Sequence, residues 1–318
     1  MKVLVTGGHG YIGGRLCQFL AQSGCFNVRR ASRSAMGNCG HNPSITDIVS
    51  DWSSDESLRS CSEGVDAIVH LAALNAAGSA RDPVAALVTN GVATLRLLEA
   101  AREMKVGRFI YVSTAHVYGS PLVGKLTEDT CPLPTHPYAT SHRAAEDVVL
   151  AADRQGQIEG FVLRLSNAFG APGAVGANCW DLLFNDLCRQ VVLSGRIVLR
   201  STGLQRRDFV PLTDVCSAIF HILQFPGATL DGRLFNIGGE WSPTVFEVAN
   251  LVADRFELRC GVRPQISRPH PSQGETSQVL DYRIDALRNT GFKASTDRIA
   301  ELDGLVSFCE AAFGSSRG

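Results

Sequence analysis

The beginning of the chain constrains it most. Lys2-Val3-Leu4-Val5-Thr6 is a short apolar run with β-branched residues, and Gly7-Gly8-His9-Gly10-Tyr11-Ile12-Gly13 follows it directly. That order reads as strand, tight turn and helix start. From Gly8 the turn fits G-x-G-x-x-G, in which one glycine makes the bend, one lets backbone approach a pyrophosphate, and one permits helix-on-strand packing. The stretch it opens is amphipathic through Ile12, Leu16, Phe19 and Leu20, and the N-terminus of such a helix offers unpaired N–H groups and a favourable dipole to phosphates. A glycine turn alone specifies only a bend. Between a strand and an amphipathic helix it predicts dinucleotide binding.

Downstream, strands and helices alternate, which predicts an α/β chain with a Rossmann-type, doubly wound parallel sheet covered on both faces, as one large unit or as a domain plus a smaller lobe. At 318 residues, 45% of them hydrophobic, the chain can bury a core of that size, and a net charge of −1 gives no electrostatic case for nucleic acid or a membrane surface. No apolar run approaches the roughly 18 residues of a spanning helix, and the glycine turn starts too early for a signal peptide, so a cytoplasmic location is expected. The 10 cysteines are scattered, with no C-x-x-C pair and no histidine at zinc spacing. They read as buried thiols in a reducing compartment, and no metal is expected.

Residues 27–31 form the next expected strand, with Ser32-Arg33-Ser34 at its end. An acid there would bind a ribose 2′-hydroxyl, whereas an arginine accommodates a 2′-phosphate. The acid is absent, so NADP(H) is favoured over NAD(H); the plainer alternative makes Arg29, Arg30 and Arg33 solvated loop charges. Residues 34–42 read as loop and 45–49 as a strand, after which Asp51 is placed to accept from an adenine amino group. Residues 67–71 are continuously apolar, as in a strand buried on both faces. Ala72 and Ala73 beyond them would let backbone pass close to the cofactor, and His70 reads as a core histidine rather than a catalyst. A long helix is expected over 83–104, with Asn90 polar among apolar faces, and a further strand over 108–113.

The second informative stretch is Tyr111-Val112-Ser113-Thr114-Ala115-His116-Val117-Tyr118-Gly119, followed by Pro137-Tyr138-Ala139-Thr140-Ser141-His142. A hydroxyl leaving a strand end and a tyrosine opening the next helix can together polarise a carbonyl or carbinol beside a nicotinamide. With these residues the chain resembles the extended short-chain dehydrogenase/reductases, the group of nucleotide-sugar epimerases, dehydratases and 4-keto-reductases. The likeness extends through Leu163-Arg164-x-x-Asn167-x-x-Gly170, Arg207-Asp208-Phe209-Val210, Asp214 and Phe235-Asn236-Ile237-Gly238-Gly239. It implies a cofactor site of Gly7, Gly10, Tyr11, Ile12, Gly13, Ser32, Arg33, Asp51, Leu71, Ala72, Ala73, Asn90, Tyr138 and His142. It further implies Tyr138 as proton donor or acceptor, Thr114 as the hydroxyl on the reacting oxygen, and Asn75, Thr114, His116, Asn167 and Arg207 toward a nucleotide sugar. The guanidinium fork of Arg207 suits phosphate oxygens; a surface ion pair with Asp208 is its alternative. The Rossmann core is expected over 1–170 with returning segments at 207–239, and the substrate lobe and C-terminal helices over 171–206 and 240–318.

Departures from the family pattern carry chemistry of their own. Where the family has Tyr-x-x-x-Lys, this chain has Tyr138-x-x-x-His142. The spacing still puts both side chains on one helix face, and an imidazole still bonds a ribose hydroxyl. What is lost is a permanent cation, which at about 5 Å and an effective dielectric near 20 stabilises a phenolate by roughly 3 kcal/mol, on the order of two pKa units. Keto-sugar reduction, which needs a protonated Tyr138, is therefore expected at neutral pH, and carbinol oxidation at alkaline pH. Arg143 is the nearest cation in sequence but lies further round the helix.

Ala115 and His116 stand where water-eliminating relatives carry acids, so a 4,6-dehydratase is not expected: Ala115 can neither take nor give a proton. His116 retains one titratable group toward the sugar, the alternative being a packed or solvated histidine. Ser272-Gln273-Gly274-Glu275 replaces the family's Arg-Pro-Gly-Asp, leaving Arg268 as a substitute, and Trp180, Phe184, Asn185 and Trp241 as candidates to stack on or bond a base or sugar. The alternative to an enzyme is a cofactor-binding sensor that lost its chemistry with the lysine. A homodimer is expected through the helices of about 84–104 and from Tyr138, on apolar residues Leu97, Leu98, Val148, Val149 and Leu150. The end, 314–318, reads as a frayed tail.

Overall fold

The structure, a computed structural model, describes residues 1–33, 42–226 and 232–314; the expected 34–42 loop and 314–318 tail fall outside these residues except for Asn42 and Gly314. In chain order, β1 (Lys2–Thr6) leads through the glycine turn into α1 (Tyr11–Gln22), followed by β2 (Asn27–Ser32), β3 (Ile45–Val49), α2 (Asp55–Ser62) and β4 (Ala67–His70). Short helices α3 (Ala76–Arg81) and α4 (Pro83–Ala86) precede a π-helical turn (Leu87–Val92) that runs into α5 (Ala93–Glu103). Next come β5 (Arg108–Thr114), a 3-10 turn (Ala115–Tyr118), β6 (Gly124–Leu126), α6 (Pro137–Arg154), β7 (Glu159–Leu165) and β8 (Asn167–Phe169). The remainder comprises α7 (Leu183–Ser194), β9 (Arg196–Val198), β10 (Phe209–Pro211), α8 (Leu212–Gln224), β11 (Leu234–Ile237), α9 (Val245–Cys260), β12 (Gln265–Ser267), β13 (Leu280–Tyr282), α10 (Asp285–Asn289) and α11 (Arg298–Phe313).

Seven strands make one parallel sheet in the order β11-β7-β5-β4-β1-β2-β3. Side chains alternate across it. Leu4, Ile68, Phe109, Tyr111 and Val162 face a core closed by α2, α5 and α6, while Val3, Val5, Val69, Ile110 and Leu163 face one closed by α1 and α8. Burial on both faces explains why these strands read as continuous apolar runs. The order reverses beside β1, with β2 and β3 on one side and β4 on the other, and a crevice for ligands opens outside the strand ends at such a switch point. A third apolar cluster joins α7, α9 and α11 through Phe184, Leu187, Val248, Val252, Leu302 and Leu305.

The rod expected over 83–104 forms, with the π turn inside it. Contrary to the sequence expectation, Pro83–Glu103 is long and apolar enough, by length and composition, to cross a membrane. Its Leu97 and Leu98 are buried within the protomer, as is Val149 of α6, so these three are not spare surface for a second copy. The exposed apolar residues of the rod are instead Val84, Leu87, Val88, Val92 and Leu95.

Candidate functional site

The turn after β1 admits only glycine at two points. Gly7 has φ +65° and a Cβ there would lie 2.9 Å from the Ala72 amide nitrogen; one on Gly13 would lie 2.3 Å from the Gly7 carbonyl oxygen. The turn borders a cleft of about 680 Å³, lined by Gly7, Gly10, Ser32, Arg33, Asp51, Leu71, Ala72 and Ala73, all singled out in the sequence. His9, Trp52, Thr89 and Arg96 also line it and were not; only the adjacency of Trp52 to Asp51 hinted at any of them. The three arginines of the second strand separate. Arg29 donates to the carbonyls of Cys61 (2.8 Å) and Glu63 (2.9 Å), and Arg30 makes a two-pronged pair with Asp47 (2.6 and 2.8 Å). Neither is a solvated loop charge, and Arg33 alone of the three lines the cleft.

A buried chain of hydrogen bonds ties this cleft to α6. Ser141 Oγ donates to the Tyr138 carbonyl (2.9 Å) and accepts from Asn90 Nδ2 (2.9 Å). The Asn90 carbonyl accepts from Thr94 Oγ1, which must then accept from His70 Nε2 (3.0 Å). His70 Nδ1 is left to accept from Thr6 Oγ1 (2.6 Å), and Thr6 Oγ1 accepts in turn from the amides of Leu71 and Ala72. Each donor finds an acceptor, which fixes the His70 tautomer. His70 is thus the core histidine expected. Asn90, with its Oδ1 also holding the Leu74 amide at 2.7 Å, is fully buried and braces the cleft wall rather than lining it.

β5 delivers Thr114 and α6 delivers Tyr138. The Thr114 hydroxyl beside the Tyr138 phenol lowers its pKa, but burial outweighs that effect and raises the phenol pKa above its ordinary 10.0. The His142 ring packs edge-on to the Tyr138 ring, 4.4 Å between centroids. It is buried, its Nδ1 lies 2.7 Å from the Tyr111 hydroxyl, and burial pushes its pKa down to about 3. A neutral imidazole therefore stands beside Tyr138. Arg143 does not compensate, since its guanidinium pairs with Asp147 and Glu146. His116 follows on the 3-10 turn, its amide donating to Thr114 Oγ1 at 3.2 Å. Its side chain keeps contact with solvent, and partial crowding by protein, together with the Arg207 guanidinium, lowers its pKa.

Not every expected residue is free to act through its side chain. Tyr11 is buried and donates to the Gly170 carbonyl (2.9 Å), while Asn75 Oδ1 caps α3 through the Gly78 amide (2.8 Å). Ile12 is half-buried against the core. Asn167 Nδ2 donates to the Asp208 carbonyl (2.9 Å). Asp208 does not pair with Arg207: its carboxylate accepts from Ser166 Oγ and the amides of Gly239 and Trp241. Phe184 and Asn185 are buried, Phe184 stacked on Phe169 and Asn185 bonded to the Gly170 carbonyl; Trp180 and Trp241 pack on Phe313 and Phe169. Arg268 lies over the Phe246 ring, 3.6 Å from its centroid, and donates to the Thr202 carbonyl. Arg207 lines a second pocket of about 400 Å³ together with Arg200, Arg189, Leu183 and Val198.

The buried titratable groups set an acid response. Burial holds His70 and His142 neutral, each with its pKa down from 6.5 to about 3, and pushes Asp208 up from 3.8 to about 6. Between about pH 4 and 6, unfolding lets both imidazoles take a proton while Asp208 gives one up. One net proton is taken up, so these three groups make stability fall with falling pH by about 1.4 kcal/mol per unit. Denaturant titrations at several pH values in that window check this; stability that rises as pH falls would contradict it.

With this geometry in view, the comparisons with known proteins are direct. A model of the NAD dependent epimerase/dehydratase family matches residues 3–238, and the chain belongs to that family, as an extended short-chain dehydrogenase/reductase. It is 30% identical over 269 residues to the uncharacterized UDP-glucose epimerase YtcB of Bacillus subtilis (strain 168), covering 80% of this chain and 82% of that one. It is 27% identical over 323 residues to dTDP-glucose 4,6-dehydratase of Streptomyces niveus, covering 98% and 92%. Among solved structures, MoeE5 in complex with UDP-glucuronic acid and NAD matches with a TM-score of 0.78 and 28% identity over 98% of this chain and 100% of that one. Epimerases and dehydratases thus both stand among the relatives, and the exclusion of dehydration expected from Ala115 is not supported by them. The family is NAD-dependent, and the comparisons lend no support to a preference for NADP.

Proposed function

We propose that the protein transfers hydride at a carbinol or ketone carbon of a nucleotide-activated sugar, as a 4-epimerase or 4-keto-reductase. The observation that carries this reading is the glycine-walled cleft together with the Thr114–Tyr138 pair. The cleft suits a dinucleotide: the side chains missing at Gly7 and Gly13 leave backbone room for a pyrophosphate. Among the described residues the buried Nε2 of His142 has no hydrogen-bond partner. Gly7, Gly10 and Gly13 would hold the pyrophosphate, Leu71, Ala72 and Ala73 the wall beside it, and Asp51 the adenine. When bound, the dinucleotide gives or accepts the hydride. Tyr138, its phenol kept protonated at neutral pH by burial, gives a proton to the sugar oxygen during reduction, and Thr114 holds that oxygen by a hydrogen bond. His116 and Asn167 would face the sugar. Arg207 with Arg200 would take the diphosphate in place of the arginine missing from 272–275. A nucleoside diphosphate sugar is supported by the UDP-glucuronic acid in the MoeE5 complex. Residues 1–170 and 207–239 serve the cofactor in this reading, and 171–206 and 240–318 the substrate. Assaying turnover of UDP-, GDP-, CDP- and dTDP-sugars with either dinucleotide tests it; inertness toward all of them would count against it.

Two finer readings accompany it. Ser32 and Arg33 border the cleft where an acid would select NAD, so NADP(H) is expected to bind more tightly than NAD(H), and Arg33→Ala to weaken NADP(H) alone, by about tenfold for one lost charge-assisted bond. Titrating both dinucleotides decides it, equal affinities being the contrary result. The exposed Val84, Leu87, Val88, Val92 and Leu95 support a homodimer through the rod and α6, because a self-complementary apolar face pairs about a two-fold axis. Twice the protomer mass in solution at micromolar concentration is the expected finding and a monomer the contrary one. A reducing cytosol suits the nine described cysteines, all free thiols.

A further inference from the structure

The two ring nitrogens of His142 have different surroundings. Nδ1 lies 2.7 Å from the Tyr111 hydroxyl, with both side chains buried, whereas Nε2 is buried with no hydrogen-bond partner among the described residues. The protons between the two rings can be placed by counting orphans. If Nδ1 carried the imidazole proton it would donate to the phenol oxygen, leaving both the phenol O–H and the Nε2 lone pair unpaired. If Tyr111 donates to Nδ1, only the Nε2–H remains unpaired. Unmade hydrogen bonds of buried groups are costly, so the second arrangement holds. The other imidazole beside Tyr111, His70, cannot accept its proton, since His70 Nδ1 is taken by Thr6 and Nε2 donates to Thr94.

We propose that Tyr111 is a positioning residue for the cofactor: its hydroxyl locks His142 in the Nε2–H tautomer and holds the ring so that Nε2–H donates to a hydroxyl of the nicotinamide ribose. The proposal rests on the function proposed above. Three residues before Thr114 on β5, Tyr111 makes the strand that delivers one catalytic hydroxyl also orient the ring behind the other. The family's lysine would need no such partner, because an ammonium donates in three directions without a tautomer to choose.

Two measurements test it. ¹⁵N NMR of the free wild-type protein is expected to show His142 protonated at Nε2 and bare at Nδ1; the reverse tautomer overturns the proposal and requires no variant to fold. Fluorescence titration with NADH and NADPH is expected to show Tyr111→Phe weakening binding roughly three- to tenfold in the wild-type background, the worth of one hydrogen bond. In a His142→Lys background the same change should cost less than about twofold, because the lysine does not use that hydroxyl. Equal losses in both backgrounds, or none in the wild type, overturn the positioning role while leaving the proposed function intact. A wild-type protein that binds neither dinucleotide overturns both.

Discussion

Tyr138→Phe is expected to lower kcat by roughly 10²- to 10⁴-fold, the usual worth of a positioned proton donor, with little change in cofactor affinity. The ring stays, packed against His142 at 4.4 Å, and only the hydroxyl beside Thr114 is lost. Comparing kcat and dinucleotide Kd for the two proteins checks it. A variant within about threefold of wild type would mean that another group delivers the proton, and His116, on the turn after Thr114, would be the first to examine.

Glu146→Ala is expected to cost about 3–5 kcal/mol of stability, because it strands a buried guanidinium. Arg164 and Glu146 are both fully buried and pair at 2.7 Å, and Ser113 Oγ donates to the same carboxylate at 2.6 Å. The pair joins α6, about two turns beyond Tyr138, to β7 and to the residue before Thr114. Loss of the carboxylate therefore loosens both strands behind the site as well as the helix. Denaturant unfolding measures the cost, and Glu146→Gln should lie between, since an amide still accepts from Ser113. A loss below about 1 kcal/mol for the alanine variant would show that water replaces the carboxylate as the partner of Arg164.

How far the sequence spoke depended on how locally each feature is encoded. The turn at Gly7, Gly10 and Gly13 was legible because the glycine spacing itself stands between a strand and a helix, although the contact that demands Gly7 is with Ala72, far along the chain, and the buried strands because both their faces are apolar. The alternation of strand and helix then led to the parallel sheet. What the sequence did not show was which way a side chain faces. Leu97, Leu98 and Val149 were read as spare surface, but a helix with apolar residues on more than one face does not say which face the core takes. Asn90, Asn75 and Tyr11 were placed toward ligands, and their side chains instead serve Ser141, Gly78 and Gly170. Their partners are 51, 3 and 159 residues away, and only the helix cap of Asn75 is encoded locally. The same distance hid the bond between Tyr111 and His142. The lost charge of His142 was legible, because a missing lysine is visible in the sequence itself. That the imidazole is neutral in place follows from burial, which the sequence does not print.

The most direct test of the account supplies the protein with NADPH or NADH deuterated at the transferable position of C4, together with 4-keto sugar nucleotides, and follows the products by mass spectrometry and NMR. Wild type is predicted to return a carbinol bearing one deuterium at the reduced carbon, and Tyr138→Phe to return that product at a rate lower by the factor given above. Tight dinucleotide binding with no deuterium in any sugar would contradict hydride transfer and leave a protein that holds the cofactor without using it.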